Sequence, residues 1–271
     1  MKQRIITALL LAPLAIAAVL FLPSAAFMAL AAALLLLGLW EWTRLIGFEG
    51  HARRTLIIVM HAATMAWLAW RGWPALFPVV ALLGVAWWLA SLLWLRFPQF
   101  ARAPTTAHRW TKLLVGTLLI VPTWCALGML HTAGALGPRW AFYALALVWA
   151  ADSCAYFSGR HFGGAKMSPS ISPNKTWAGF WGGLAGVLLL SVPAAPLLGL
   201  SWAQLPMLMA VTLLAALASV VGDLFESLIK RHAGAKDSSQ LIPGHGGVLD
   251  RIDSVVAAVP VFAVAKALFG L

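Results

Sequence analysis

Residues 5–40 read IITALLLAPLAIAAVLFLPSAAFMALAAALLLLGLW, thirty-six positions without one charged side chain. A helix needs about 20 apolar residues to cross the hydrocarbon core of a bilayer. The stretch therefore holds two consecutive spans, divided at Pro23-Ser24 with almost no loop between them. An N-terminal signal peptide is the competing reading of its first part, since Lys2 and Arg4 precede the apolar run. Retention is the expectation, because the run is long and the next helix follows at once.

The rest of the chain has the same character. Its 271 residues are 62% hydrophobic and 10% charged, where a soluble domain is nearer 45–50% and about 25%. Mean hydropathy is +0.89. Two cysteines in such a length exclude a secreted disulfide scaffold, and the apolar excess excludes a disordered chain. Apolar runs are legible at 5–22, 24–40, 55–70, 74–95, 113–131, 139–157, 177–199, 203–229 and 252–270. The fold expected is an all-α, polytopic integral membrane protein of about nine transmembrane helices.

Charge sets the orientation. Lys and Arg number 19 against 8 Asp and Glu, a formal charge of +11. These cations fall in the gaps between apolar runs, not in a stripe interleaved with aromatics, so the surplus needs no nucleic acid. With the N-terminus inside, only Arg71, Arg139 and Lys266 fall in outer segments, as the positive-inside rule asks. The acidic residues are uneven too. Glu41 and Glu49 lie near the first cytoplasmic loop; Asp152, Asp223, Glu226, Asp237, Asp250 and Asp253 all lie within 152–253. Residues 1–140 read as transmembrane scaffold. Residues 141–271 read as the catalytic region, with cytoplasmic loops at 158–176 and 230–251 and the site at cytoplasmic helix ends.

Within the second loop, Lys230, Arg231 and Lys236 precede Ser238 and Ser239, then a Pro243-Gly-His245-Gly246-Gly247 turn. Backbone N–H groups of a glycine-rich turn beside Lys and Arg suit a phosphate. Asp250 and Asp253, three apart at the start of the last helix, share a face; simple stabilisation by the helix dipole is the alternative. Asp223 and Glu226 lie near the cytoplasmic end of the preceding run, where a carboxylate needs a partner. Two carboxylates converging there would repel unless a cation lies between them, and hard oxygen ligands facing phosphates are the setting for Mg²⁺. Hydrogen bonding to Arg or Lys is the alternative. A further basic loop runs from Asp152 and Tyr156 through Gly159-Arg160 and Lys166 to Ser172-Pro173-Asn174-Lys175-Thr176; by itself it could be an ordinary cytoplasmic loop. His51, His61, His108 and His131 are scattered without ligand spacing, Cys125 and Cys154 read as buried free thiols, and Gly182-Gly183-x-x-Gly186 reads as a small-residue helix contact.

Residues 227–253 resemble the signature of the phosphatidate cytidylyltransferase (CDP-diacylglycerol synthase) family. Its pattern is met by Ser227, Lys230-Arg231, Lys236-Asp237, His245-Gly246-Gly247 and Asp250-Arg251-Ile252-Asp253. The upstream Asp152-x-x-Ala155-Tyr156-x-x-Gly159 and Ser172-Pro173-x-Lys175-Thr176 are similar to that family as well, with less typical residues at Asn174 and Ala178. The resemblance is specific over about 150–255; the N-terminal half agrees only in being polytopic. It implies transfer of CMP from CTP to phosphatidate with release of pyrophosphate, assisted by Mg²⁺ and by a second metal ion in a two-metal arrangement. It further implies that Asp223 and Asp250 hold the metal and that Asp253 lies beside them. Lys230, Arg231, Lys236, Arg251 and Lys175 would neutralise phosphates. Asp152, Ser172, Thr176, Ser238, Ser239, His245, Gly246 and Gly247 would bind substrate. A homodimer in the bacterial inner membrane, with its active site facing the cytoplasm, is the expected setting. A CTP-using enzyme for another lipid phosphate, a lipid kinase, a transporter and a nucleotide-binding relative without activity are the alternatives.

Overall fold

The computed structural model describes residues 2–72, 75–241 and 246–271, with side chains from Ala12 onward apart from those of Arg71 and Gly72. The elements, in order, are α1 (Lys2–Phe21), α2 (Ser24–Leu45), α3 (His51–Trp67), α4 (Phe77–Arg96), α5 (Thr106–His131), α6 (Gly137–Phe162), β1 (Lys166–Ser168), β2 (Ser172–Thr176), α7 (Trp177–Leu197), α8 (Leu205–His232), α9 (Leu249–Ile252) and α10 (Val255–Phe269). Every apolar run of the sequence lies largely in a helix. Seven segments among the described residues are long and apolar enough to cross a membrane: Ser24–Leu45, Phe77–Arg96, Thr106–His131, Gly134–Phe162, Trp177–Leu197, Trp202–His232 and Leu249–Phe269. α3 falls short of that measure because it has 17 residues and begins His51-Ala-Arg53-Arg54 before ending in a five-residue π turn.

α10 is the central helix, packed on α4, α5, α6 and α8, and α7 leans on α6 and α8. Leucines and tryptophans face outward around this bundle: Leu14, Leu56, Leu89, Leu93, Trp70 and Trp181 are all exposed. Such a surface suits lipid and not water.

Several polar atoms inside the bundle are paired between helices, as a low-dielectric interior favours. Pro260 in α10 has no N–H to offer the carbonyl four residues before it. That carbonyl, of Val256, instead accepts from Trp88 Nε1 (2.9 Å) on α4 and Thr123 Oγ1 (3.0 Å) on α5. The Tyr143 hydroxyl on α6 bonds Ser191 Oγ (2.9 Å) on α7 and Thr212 Oγ1 (2.8 Å) on α8. α6 and α7 meet through small residues. A Cβ at Gly183 would lie 3.0 Å from the Ala151 carbonyl oxygen, and Gly182 and Gly186 face Ser158 and Cys154 as closely. The small-residue reading of 182–186 is thus correct, and Cys125 and Cys154 are free thiols.

One expectation needs correcting. The segment 158–176 is not all loop in an all-α protein. α6 runs on to Phe162, and β1 and β2 form a two-stranded antiparallel hairpin, pairing Lys166 with Thr176 and Ser168 with Ser172. The hairpin escapes sequence reading because Ser172-Pro173-Asn174-Lys175-Thr176 lacks the branched, alternating side chains that mark a strand. Its Pro173 is tolerated because a two-stranded ribbon has only edges.

Candidate active site

The hairpin returns the chain to α7 through Thr176, whose hydroxyl caps that helix by accepting from Gly179 N (3.1 Å). Lys175, the residue before, is thereby directed at α8, where its Nζ meets Asp223 Oδ2 at 2.6 Å. Asp223 also accepts from Ser227 Oγ (3.3 Å), one turn along. Between the hairpin, α6, α7 and α8 lies a cavity of roughly 620 Å³. Asp152, Arg160, Lys166, Lys175 and Asp223 line its polar part; Phe180, Gly183, Leu184, Ala216 and Val220 line its apolar part. Ser254, the residue after Asp253, also lines it. Asp152, Asp223 and Asp253 are close enough to act on one another electrostatically, with Lys175 and Arg251 offsetting Asp152. Asp253 Oδ1 accepts from the Ser254 amide (2.7 Å).

The signature loop is built differently from what its cations suggest. Lys230 is buried and forms ion pairs with Glu226, one turn before it, and with Asp250 Oδ1 at 2.7 Å. Asp250 Oδ2 accepts from Ser238 N (2.9 Å), Ser238 Oγ (2.8 Å) and Gly247 N (2.8 Å). Oδ2 is thus crowded with donors, although the one Ser238 hydroxyl proton is shared between Asp250 and Glu41, while Oδ1 meets Lys230. Gly246 sits in the left-handed region with φ +84°, and a Cβ there would come within 2.8 Å of Asp250 Oδ2. Arg231 lies exposed and joins α8 to the hairpin by donating from Nε to the Ile171 carbonyl (3.4 Å) and from Nη1 to Ala235 (3.3 Å). Lys236 and Arg251 are exposed, and Ser172 opens β2. His245 lies outside the described residues.

Sequence reading missed Glu41. This carboxylate on α2 is buried and accepts from Ser238 Oγ (3.0 Å), Ser239 Oγ, Val248 N (3.1 Å) and Leu249 N (2.7 Å). Arg44, one turn later, donates from Nη2 to the Ser238 carbonyl (2.7 Å). Ser238 and Ser239, expected to bind substrate, are therefore directed at Glu41 and Asp250. The available signal was a lone acid near the C-terminal end of an otherwise apolar span, where a carboxylate needs a partner.

The site thus joins a paired Lys–Asp and a second carboxylate at the mouth of a half-apolar cavity, beside a loop clamped by two further carboxylates. The model of the cytidylyltransferase family matches residues 2–269 of this sequence. The chain belongs to the cytidylyltransferase family. Among its relatives, a phosphatidate cytidylyltransferase of Pseudomonas aeruginosa is 43% identical over 266 residues, covering 97% of this chain and 96% of its own. One of Haemophilus influenzae is 36% identical, covering 97% of both chains. One of Bacillus subtilis is 42% identical over 137 residues, about half of each chain. Family membership makes this chain a nucleotidyltransferase, and it extends over the N-terminal helices, where the signature itself offered no resemblance.

Proposed function

We propose that this protein transfers the cytidylyl group of CTP to the phosphate of phosphatidate, forming CDP-diacylglycerol and pyrophosphate. The observation that carries the reading is the 620 Å³ cavity lined by both apolar and charged side chains. A diacyl lipid with a phosphate head has that same combination. Names of both near-full-length relatives point to the same substrate.

In the reaction, a phosphate oxygen of the lipid attacks the α-phosphorus of CTP, and the bond from that phosphorus to the bridging oxygen of pyrophosphate breaks. Such phosphoryl chemistry asks the protein mainly for alignment and charge neutralisation. Lys175, Lys166 and Arg160 neutralise phosphate oxygens at the cavity mouth, and Asp223 holds the Lys175 ammonium in place. The clamped loop keeps its backbone donors fixed during the step.

The residues present fit Mg²⁺, which takes one or two protein carboxylates and fills its other positions with water and phosphate oxygens. No group of three metal-binding side chains converges among the described residues, and magnesium does not require one. Asp223 and Asp152 would hold it at the cavity. Asp250 is held by more donors than Asp223, with its Oδ1 on Lys230 and its Oδ2 on the loop, and would serve the metal less readily. When bound, the ion supplies charge neutralisation for the triphosphate. α1 and α3 are read as two further spans, giving nine, with the N-terminus and the site on the cytoplasmic side of a bacterial inner membrane and a homodimer as the working assembly.

The test is incubation of purified protein with phosphatidate, labelled CTP and Mg²⁺, followed by extraction of the lipid. Label in CDP-diacylglycerol that disappears with Asp223→Asn supports the reading. Label transferred to an isoprenoid phosphate and not to phosphatidate would replace the acceptor. If Asp250→Asn lowers activity without changing the magnesium concentration needed for half-maximal rate, Asp250 is an organiser of the loop and not a metal ligand.

A further inference from the structure

A second cavity, roughly 400 Å³, lies at the same end of the bundle and shares no lining residue with the first. Arg44 from α2, Arg102 from the α4–α5 connection, His108, Arg109 and Lys112 from α5, and His232 from α8 line it, and no lining residue is acidic. Four permanent cations therefore face one space. None of them is among the ion-paired residues of the described chain, where the only salt bridges join Lys175 or Lys230 to carboxylates.

The positive-inside rule accounts for cations on this side of a membrane protein, but only for cations that face water. These do not all do so. Lys112 is 6% exposed. Arg109 Nε is buried without a hydrogen-bond partner. His232 donates from Nε2 to the Pro98 carbonyl (2.7 Å), leaving its buried Nδ1 without a partner. Lys112 and Arg102 are close enough to act on His232 electrostatically. Burying like charges beside one another costs free energy unless an anion joins them. Guanidinium forks with a lysine are the donor set that matches phosphate oxygens, and the volume falls within the range of about 300–1,000 Å³ typical of small-ligand sites.

We propose that this cavity is a second anion site that binds a phosphate group, carried by an anionic lipid headgroup or free in solution, separately from the CTP and acceptor cavity. Arg44 makes the link to the first site, since it lines the second cavity and holds the Ser238 carbonyl of the signature loop.

The experiment uses the full chain in detergent, read by native mass spectrometry. One arm adds inorganic phosphate and the other adds phosphatidylglycerol to zwitterionic micelles. Arg102→Gln and Arg102→Gln/Arg109→Gln are compared with the unaltered protein. Arg102 is exposed, so its single substitution leaves the fold intact if the double variant proves unstable. One bound anion should weaken about tenfold in the single variant, as expected for one charged hydrogen bond, and further in the double, while CTP binding changes less than twofold. Loss confined to the lipid arm supports a headgroup as the source, and loss in the phosphate arm supports a free anion. Equal anion binding by all three proteins in both arms overturns the proposal. Parallel loss of CTP binding also overturns it, because the cavity would then be part of the nucleotide site.

Discussion

Replacing Glu41 by Gln tests whether a scaffold helix holds the signature loop in its working shape. The two side chains are nearly isosteric, so packing in α2 is unchanged. The hydrogen bonds are not. Glu41 Oε1 takes the Val248 amide and Oε2 takes the Leu249 amide, at 3.1 and 2.7 Å. A backbone N–H cannot reverse its polarity. Whichever way the Gln amide is turned, one of these amides faces an NH₂ group and loses its acceptor. Ser238 and Ser239 can rotate their hydroxyls to adapt, so the unavoidable loss is one charged hydrogen bond and the weakening of another. At about 1.5–3 kcal/mol for a hydrogen bond to a charged group, the clamped loop should be destabilised by about 2–3 kcal/mol. If turnover needs the clamped form, each 1.36 kcal/mol by which open forms come to dominate lowers the rate tenfold. A fall of about ten- to one-hundredfold in kcat is expected from Glu41→Gln, with KM for phosphatidate little changed. The assay is initial-rate formation of CDP-diacylglycerol in mixed micelles at several CTP concentrations, beside limited proteolysis in residues 233–241. Full turnover and unchanged proteolysis of the Gln variant would refute the reasoning, because a clamp that can lose its charge without effect is not one.

Lys230→Met leaves Glu226 and Asp250 buried without their shared cation. It should lower stability by about 3–5 kcal/mol, measured as a fall in the thermal unfolding midpoint in detergent. A variant of normal stability that has lost only CTP affinity would return Lys230 to a phosphate-binding role. Gly247→Ala puts a methyl group 2.7 Å from Glu41 Cδ and still closer to Ser238 Oγ. It should cost about 1–3 kcal/mol and most of the activity, whereas Gly234→Ala, where a Cβ would meet nothing but the φ of +65° is strained, should cost about 1 kcal/mol and leave kcat alone. Tyr143→Phe removes the hydroxyl that joins α6, α7 and α8. It should destabilise by about 1–2 kcal/mol without altering KM for CTP, as a paired unfolding and kinetic measurement would show.

The helices were legible because a bilayer leaves a chain so little choice. Apolar runs of about 20 residues must be helical when no water is present to satisfy the backbone. Even the small-residue contact at 182–186 could be read locally, since Gly182-Gly183-x-x-Gly186 puts its glycines on neighbouring turns. The hairpin at 166–176 was not legible: three- and five-residue strands carry no periodicity, and their polar side chains read as loop. The residues at 227–253 were identifiable by type, but the pairing of their charges was not. Lys230 looks like a phosphate ligand until its neighbours Glu226 and Asp250 are seen on both sides of it. Glu41 was legible as a carboxylate in need of a partner, but the partner was not, because those it has are about 200 residues away in sequence and nothing in residues 36–45 names them.

The contrast between Asp223 and Asp250 follows from these pairings. Asp250 belongs to the signature stretch and Asp223 lies just before it on α8, yet their oxygens have different partners. Asp250 is surrounded by Lys230, two groups of Ser238 and the Gly247 amide, so its charge organises a turn. Asp223 has one lysine and one hydroxyl, lines the cavity, and lies in the field of Asp152 and Asp253. A carboxylate group left partly unsatisfied among like charges is the arrangement that gains most from an arriving cation, because the same repulsion that raises its energy when empty is removed when the cation binds. A carboxylate held by more donors, as Asp250 is, gains less. By their hydrogen bonds the two aspartates divide into Asp250, the loop's anchor, and Asp223 at the cavity, the one whose replacement is expected to change the magnesium concentration needed for half-maximal rate.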